Sequence, residues 1–188
     1  MARIYTRKGD NGYTKLISSD KILKSDIKIE ALGSIDELLA HIYILNDLMN
    51  DYNENNSHLA SEFNKIKDFL FVIQFELMKI AEIIARDDKN YQFDSDIQVK
   101  KIEYEIDKIE NELSKLNTFI IPVGHIIISH CNLLRTVCRR VERNFVKYVT
   151  KYEINSKVLM FLNRLSDYFF VLTRYFLKKL NKKEIIWK

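Results

Sequence analysis

At 188 residues, 47% hydrophobic and 30% charged, the chain can bury one ordinary core and is short for two domains. Its 30 basic and 26 acidic residues nearly balance, leaving +4, so bulk charge argues neither for nor against nucleic acid. Four glycines and one proline are too few breakers for an ordinary all-β or α/β chain, and long helices are favoured.

No apolar run approaches the roughly 20 residues that span a bilayer, and the start MARIYTRKGD lacks the apolar stretch of a secretion signal. Cys131 and Cys138, seven apart in one apolar pattern, are not the cysteine framework of a small secreted domain, and a reducing compartment suits them. The expectation is a soluble cytoplasmic protein that engages neither membrane nor nucleic acid.

The first segment in chain order is IYTRKGDNGYTKL, Ile4 to Leu16. Between Thr6 and Thr14 it sets two threonines, two glycines, an aspartate and two cations, with almost nothing apolar. Gly-Asp-Asn-Gly between Thr6 and Thr14 can offer backbone N–H groups and hydroxyls to phosphate oxygens, with Arg7, Lys8 and Lys15 supplying charge. No Gly-Lys-Ser/Thr follows, so this is not a Walker loop, and a hairpin turn or frayed terminus stands as an equal alternative.

Four or five helices fit the pattern that follows. In the first, Leu32, Ile35, Leu39, Ile42, Leu45 and Met49 recur at threes and fours, and Ser34 with Glu37 has capping-box spacing, which starts the helix at Ser34. Asn50 to Ser57 reads as a polar loop. The second carries Ile66, Phe69, Ile73, Leu77, Ile80 and Ile84 and ends near Arg86-Asp87-Asp88. The third follows a second capping box, Ser95 with Gln98, and runs Ile102, Ile106, Ile109, Leu113, Leu116 at a bundle-seam period. The fourth starts after Pro122 and Gly124 and carries Ile127, Cys131, Leu134, Cys138, Val141 and Phe145. The fifth, from about Ser156, repeats that spacing through Val158, Leu162, Leu165, Phe169, Leu172 and Phe176. Antiparallel helices with such stripes make a single all-α, up-and-down bundle. The basic tail KKLNKK reads as a solvated end.

Two polar rows stand beside these stripes. On the fourth helix Arg135, Arg139 and Glu142 share one sector, flanked by Asn132 and Arg143; on the fifth, Asn163, Asp167, Phe170 and Arg174 fall on one line. Solvated faces are the plain reading of such rows. The functional one is that arginines here hold an anion or reach a neighbouring subunit, while Asn and Asp add an orienting group and a fixed acceptor. His125 and His130, five apart, lie on different faces, no Glu-x-x-His pair appears, and with His41 and His58 they read as structural or surface residues. No side-chain metal site is expected.

The segments YTRKGDNGYTKL, ALGSIDELLAHI, FIIPVG, RTVCRRVER and LNRLSDYFFVLTR, in this order from Tyr5 to about Arg174, resemble the PduO-type ATP:cob(I)alamin adenosyltransferases. The last two are specific together. The resemblance implies a five-helix, ferritin-like bundle assembled as a homotrimer, with ATP between neighbouring subunits and corrinoid beside it. It implies transfer of the 5′-deoxyadenosyl group of ATP to the cobalt of cob(I)alamin, with Mg²⁺ on the phosphates and release of triphosphate. A reductase and an adenosylcobalamin-dependent enzyme are the protein partners such chemistry suggests.

By position, Thr6, Gly9, Asp10, Gly12 and Thr14 match the family's triphosphate-binding loop, which makes residues 1–30 an ATP-binding flap, and Lys24 in KILKSD matches the lysine that follows it. Arg139, Glu142 and Asn163 match ATP-contacting positions. Arg135 matches an arginine that pairs across the subunit interface with the aspartate of the first helix, here Asp36, so Arg139, Asp36 and Arg135 form the implied catalytic set. Phe119 in TFIIPVG matches the aromatic below the corrin, with Phe170 and Asp167 on the same corrinoid side.

The chain departs from the family pattern where KLISSDKILKSD lacks the usual glycine pair and places Lys21 at a common arginine position. Pro122-Val123-Gly124-His125 replaces Pro-Gly-Gly-Ser, and Asn132 stands where histidine is frequent. Retention of Arg135, Arg139, Glu142, Asn163 and Asp167 favours an active enzyme. The alternative is a non-catalytic helical ATP- or corrinoid-binding sensor or carrier.

Overall fold

The computed structural model describes residues 5–17, 21–86, 93, 95–116, 118–153 and 157–187. Five α-helices carry most of them: α1 (Ile27–Asn55), α2 (Ala60–Arg86), α3 (Ser95–Glu110), α4 (Ile126–Lys151) and α5 (Val158–Lys179). A 3-10 turn, Ser57–Leu59, joins α1 to α2. Two short antiparallel ribbons complete the fold: β1 (Tyr13–Lys15) with β2 (Lys21–Leu23), and β3 (Ile120–Ile121) with β4 (Ile185–Ile186). Among the described residues no helix is long and apolar enough to cross a membrane.

Side-chain bridges fix the helix directions. Lys67 donates to Asn50 at 2.6 Å, Asn144 to Glu30 at 3.3 Å and Asn163 to Glu142 at 3.1 Å, so α2 and α4 run opposite to α1, and α5 opposite to α4. Gln98 near the start of α3 donates to Glu76 in the later half of α2, which makes that pair antiparallel too. Lys157, just before α5, meets Asp96 in the first turn of α3, whereas Lys178 near the end of α5 meets Glu112 just past the end of α3, so these two neighbours run parallel. The helices therefore alternate up and down in chain order. Ribbon β1–β2 lies at the base, where Ile17 N–H donates to the Ala85 carbonyl at the end of α2; ribbon β3–β4 lies at the opposite end.

The apolar stripes form the core. Ile35, Ile42, Leu45, Leu77, Ile80, Leu134, Leu162, Leu165 and Phe169 have no measurable exposure. Edge-on aromatic pairs knit the helices: Phe63 on Phe176 at 5.6 Å, Phe69 on Tyr168 at 5.1 Å, and Phe93 on Phe161 at 5.5 Å. Cys131 and Cys138 are buried free thiols whose S–H groups donate to the carbonyls of Phe169 (3.5 Å) and Leu162 (3.4 Å), small residues letting α4 and α5 approach.

Several boundaries differ from expectation. α1 starts at Ile27, because Asp26 caps it: its carboxylate accepts from Lys28 N–H at 2.8 Å, Lys151 Nζ at 3.0 Å and the Tyr152 hydroxyl at 3.0 Å. Ser34 lies inside α1 and its hydroxyl donates to the Ala31 carbonyl at 2.8 Å, so no capping box forms there. The supposed loop from Asn50 is helical to Asn55. α3 starts at Ser95 as expected but ends at Glu110, short of Leu116. The expected landmarks Asp87, Asp88 and Ser156 lie outside the described residues.

The tail is not a free solvated end. Asn181 takes φ 53° while Lys182 N–H donates to the Leu177 carbonyl at 2.8 Å, a left-handed helix stop that turns the chain back onto the bundle. Its last described residues become β4.

Candidate active site

Three pieces contribute, and the fold sets them in order along the bundle. The basal piece is the opening segment. Successive turns, Asp10 N–H to Arg7 carbonyl at 3.4 Å and Gly12 N–H to Gly9 carbonyl at 3.3 Å, lead into β1, where Thr14 pairs with Ile22 of β2. Gly12 has φ +80°, which a side chain would oppose. A Cβ at Gly9 would sit 3.1 Å from Lys24 Nζ and 3.3 Å from the Tyr13 carbonyl. Lys24 N–H in turn donates to the Gly12 carbonyl at 2.8 Å. Gly9, Gly12 and Lys24 are thus brought together with the lysine ammonium over the turn; Thr6, Asp10 and Thr14 lie on the same segment, Thr6 and Asp10 exposed and Thr14 half-buried.

The middle piece is the facing row on α4 and α5. Asn163 donates to Glu142 Oε1 across the two helices at 3.1 Å, which orients both side chains. Arg139, one turn up α4, is exposed and forms no ion pair among the described residues. Arg135, half-buried, donates through Nε to Asn132 Oδ1 at 3.0 Å and meets no carboxylate among the described residues. Burial, helped by the neighbouring Arg139 charge, lowers its pKa from the ordinary guanidinium value. Two neighbouring cations without a counter-ion make a standing demand for an anion.

The upper piece is a cavity of about 560 Å³ lined by Leu116, Thr118, Phe119, Ile120, Pro122, Asn132, Arg135 and Phe170. Phe119, 83% exposed, stands at it on the connection between α3 and α4. Three sequence-derived candidates, Phe119, Phe170 and Arg135, therefore meet in one space. Asp167 does not join them. It is bridged by Arg164 at 3.0 Å and lines a second cavity with Glu103, Asp107 and Glu110, on the other side of Phe170. Arg174, expected on the same exposed row, is buried and holds Glu184 and the Ser114 carbonyl instead.

Asp36 and Arg135 do not pair within the chain. Asp36 is exposed on α1, among Ala40 and Tyr43, and forms no ion pair among the described residues; nearby, Glu37 bridges to Arg140 of α4. Thr118, Ile120 and Pro122 were missed as cavity residues, and Glu184 as a structural anchor. The β-branched pair Ile185-Ile186 beside the Ile120-Ile121 pair was the sequence signal available for that ribbon.

The sequence profile of the cobalamin adenosyltransferase family matches residues 4–176. The human corrinoid adenosyltransferase is 34% identical over 185 residues, covering 98% of this chain and 73% of its own length. The Citrobacter freundii corrinoid adenosyltransferase is 31% identical over 174 residues, covering 93% of this chain and 94% of that one. In structure, the chain superposes with a TM-score of 0.85 on a variant of the PduO-type ATP:corrinoid adenosyltransferase from Lactobacillus reuteri complexed with cobalamin and ATP, at 28% identity and over 99% of both chains. Fold and sequence together define the class, and the chain belongs to the cobalamin adenosyltransferase family. Within it, this protein is a corrinoid adenosyltransferase of the PduO type, a transferase.

Proposed function

We propose that the chain moves the 5′-deoxyadenosyl group of ATP onto the cobalt of cob(I)alamin, giving adenosylcobalamin and triphosphate, at a site shared by neighbouring copies in a homotrimer. The observation that carries this reading is the cation pair Arg135–Arg139 on α4, without a carboxylate partner among the described residues, set between the Glu142–Asn163 contact and the Phe119–Phe170 cavity. Ten residues of α4, about 15 Å, separate Glu142 from Asn132. That distance accommodates a nucleotide on the lower part of the row and a corrin ring against the upper part.

The chemistry asks for little covalent help. The electron pair of Co(I) attacks C5′, the cobalt–carbon bond forms as the C5′–oxygen bond breaks, and triphosphate leaves with that bond's electrons. The protein's task is to hold C5′ in line with cobalt and to stabilise the growing charge on the leaving group. Arg139 supplies a fixed cation there, with Glu142 and Asn163 as hydrogen-bonding partners of the nucleoside. Thr6, Gly9, Asp10, Gly12, Thr14 and Lys24 form the flap over the phosphates. Mg²⁺ would be held on the phosphate oxygens of ATP. Phe119 and Phe170 give a dry wall that keeps a lower ligand off cobalt and so eases reduction to Co(I). Asp167, held by Arg164, borders Phe170 from the other cavity and serves the corrinoid side by fixing that wall.

The shared site has a geometric reason. Within one chain the flap is rooted at Asp26, beside Lys151 at the end of α4, and lies against α2; Arg139 is twelve residues away, about 18 Å along the helix. A neighbouring copy brings its flap to the row without unrooting either. Two apolar faces fit such head-to-tail packing: Phe71, Phe75 and Met78 on α2, and Tyr43, Ile44 and Leu133 on α1 and α4, all exposed. Asp36 and Arg135 then have each other as cross-subunit partners. The buried thiols suit a reducing cytoplasm, with a reductase supplying Co(I) and an adenosylcobalamin-dependent enzyme taking the product.

Mixing the protein with ATP, Mg²⁺ and chemically reduced cob(I)alamin should produce the absorption spectrum of adenosylcobalamin. Arg139→Ala should cut turnover by about 10²–10³-fold with helicity unchanged. ATP binding without conversion in the unmodified protein would leave the sensor or carrier reading in its place.

A further inference from the structure

Arg174 is only 4% exposed, yet it carries a guanidinium that touches neither of the cavities. Its Nε donates to Glu184 Oε1 at 2.7 Å and its Nη2 to the Ser114 carbonyl at 2.8 Å. Those acceptors belong to two separate stretches of chain, the tail after α5 and the connection from α3 to α4. Beyond Glu184 the tail becomes β4, where Ile186 pairs with Ile120 and Ile185 with Ile121. Trp187 N–H then donates to the Phe119 carbonyl at 2.9 Å, and the Thr118 hydroxyl to the Trp187 carbonyl at 3.4 Å.

Phe119 is thus an aromatic ring left in solvent, held by its backbone. A two-residue ribbon is too short to be stable by itself. Arg174, buried on α5, holds both connections: its ion pair to Glu184 reaches the tail, and its charge-assisted bond to the Ser114 carbonyl reaches the stretch before β3. The α5 stop at Asn181 aims the tail toward Glu184's position, and the rigid helix supplies the fixed point.

We propose that Arg174 and Glu184 form a latch that sets the Phe119 loop, acting as positioning residues for the corrinoid half of the site. This rests on the reading of Phe119 as the wall beneath the corrin. The latch is distant from the row that the nucleotide would use, so its loss should act on one substrate only.

The test compares the unmodified protein with Glu184→Ala, Glu184→Gln and Arg174→Lys, all as full chains. Glu184, a quarter exposed on its side chain, can be changed with less risk to folding than Arg174. Glu184→Ala should raise the corrinoid KM about tenfold while leaving the ATP KM within about twofold. With cob(II)alamin and ATP bound, the electron paramagnetic resonance signal should regain the nitrogen coupling that reports a lower ligand on cobalt. Glu184→Gln, which keeps an acceptor oxygen, and Arg174→Lys, which keeps a donor, should lie between. Unchanged corrinoid KM and spectrum in Glu184→Ala would overturn the latch, as would a parallel rise in both KM values with a lowered melting temperature. Absence of ligand displacement in the unmodified protein would instead remove the reading of Phe119.

Discussion

Asp26 does the work of three contacts with one carboxylate. It caps α1 through Lys28 N–H and ties the α1 start to the end of α4 through Lys151 and Tyr152. Burial by itself would raise its pKa, but the Lys28 amide, Lys151 and Tyr152 outweigh that and hold the carboxyl below its usual value. A carboxyl depressed on folding contributes stability that is present above the ordinary carboxylate range and is lost as pH falls through the folded value. Asp26→Ala should cost about 1–2 kcal/mol in urea unfolding at pH 7, and less near pH 3; an equal cost at both pH values would contradict the assignment. The thiols give a second residue-scale expectation. Burial pushes Cys131 up to about 12 and Cys138 higher still, so neither should react with iodoacetamide at pH 7.5 in the native protein, and both should after unfolding. The sequence already placed both on the apolar stripe. Asp26 was not legible as a cap because the partners that select it, Lys151 and Tyr152, lie more than a hundred residues away.

At the scale of elements, the stripes in α1, α2, α4 and α5 were legible because long helices repeat their buried face many times. Ends were legible less evenly, since each is decided by one or two contacts: α2 stops at Arg86 and α3 starts at Ser95 as expected, whereas α1 starts before Ser34 and α3 stops at Glu110. Ser34 had capping-box spacing but found its partner in the Ala31 carbonyl, inside the helix. The start of α4 shows the same local control. His125 caps it, its Nδ1 accepting from Ile127 N–H at 3.2 Å, and His130 Nε2 donates to the His41 carbonyl at 2.9 Å. Burial lowers the pKa of both imidazoles, with the Lys182 charge adding to the effect on His125 and the neighbouring His41 on His130, against the raising effect of its bond to the His41 carbonyl. A histidine depressed on folding stabilises above its unfolded value near 6.5 and loses that contribution as pH falls toward the folded value. The melting temperature should therefore drop between pH 7 and pH 5.5, and His125→Asn, which keeps a capping oxygen, should flatten part of that drop. A slope identical to the parent's would show that His125 does not titrate in this range.

For the whole molecule, the up-and-down order places the opening segment at one end, the Phe119 cavity at the other and the Arg139 row between. The sequence named the opening segment, Phe119, Phe170 and the Arg139 row but not their distribution. Arg174 joined the row on paper because spacing along a helix cannot tell an exposed line from one that another chain segment covers; the tail covers it. Asp167 likewise sits one cavity away from Phe119 because α3 supplies Glu103 and Asp107 on that side. Asp36→Ala and Arg135→Ala should each weaken the proposed trimer or its ATP affinity, read by analytical ultracentrifugation and calorimetry. Normal assembly with normal ATP affinity in both would remove the cross-subunit pair.

The central claim is that one chain's flap serves its neighbour's row, and subunit complementation tests it most directly. Lys24→Ala and Arg139→Ala proteins, each nearly inactive alone, are unfolded together in equal amounts, refolded and assayed for adenosylcobalamin. In mixed trimers some sites receive an intact flap from one chain and an intact row from another, so activity should return to about a quarter of the unmodified level. Activity no higher than that of the separate variants, in trimers shown to be mixed, would contradict a shared site and place flap and row in the same chain.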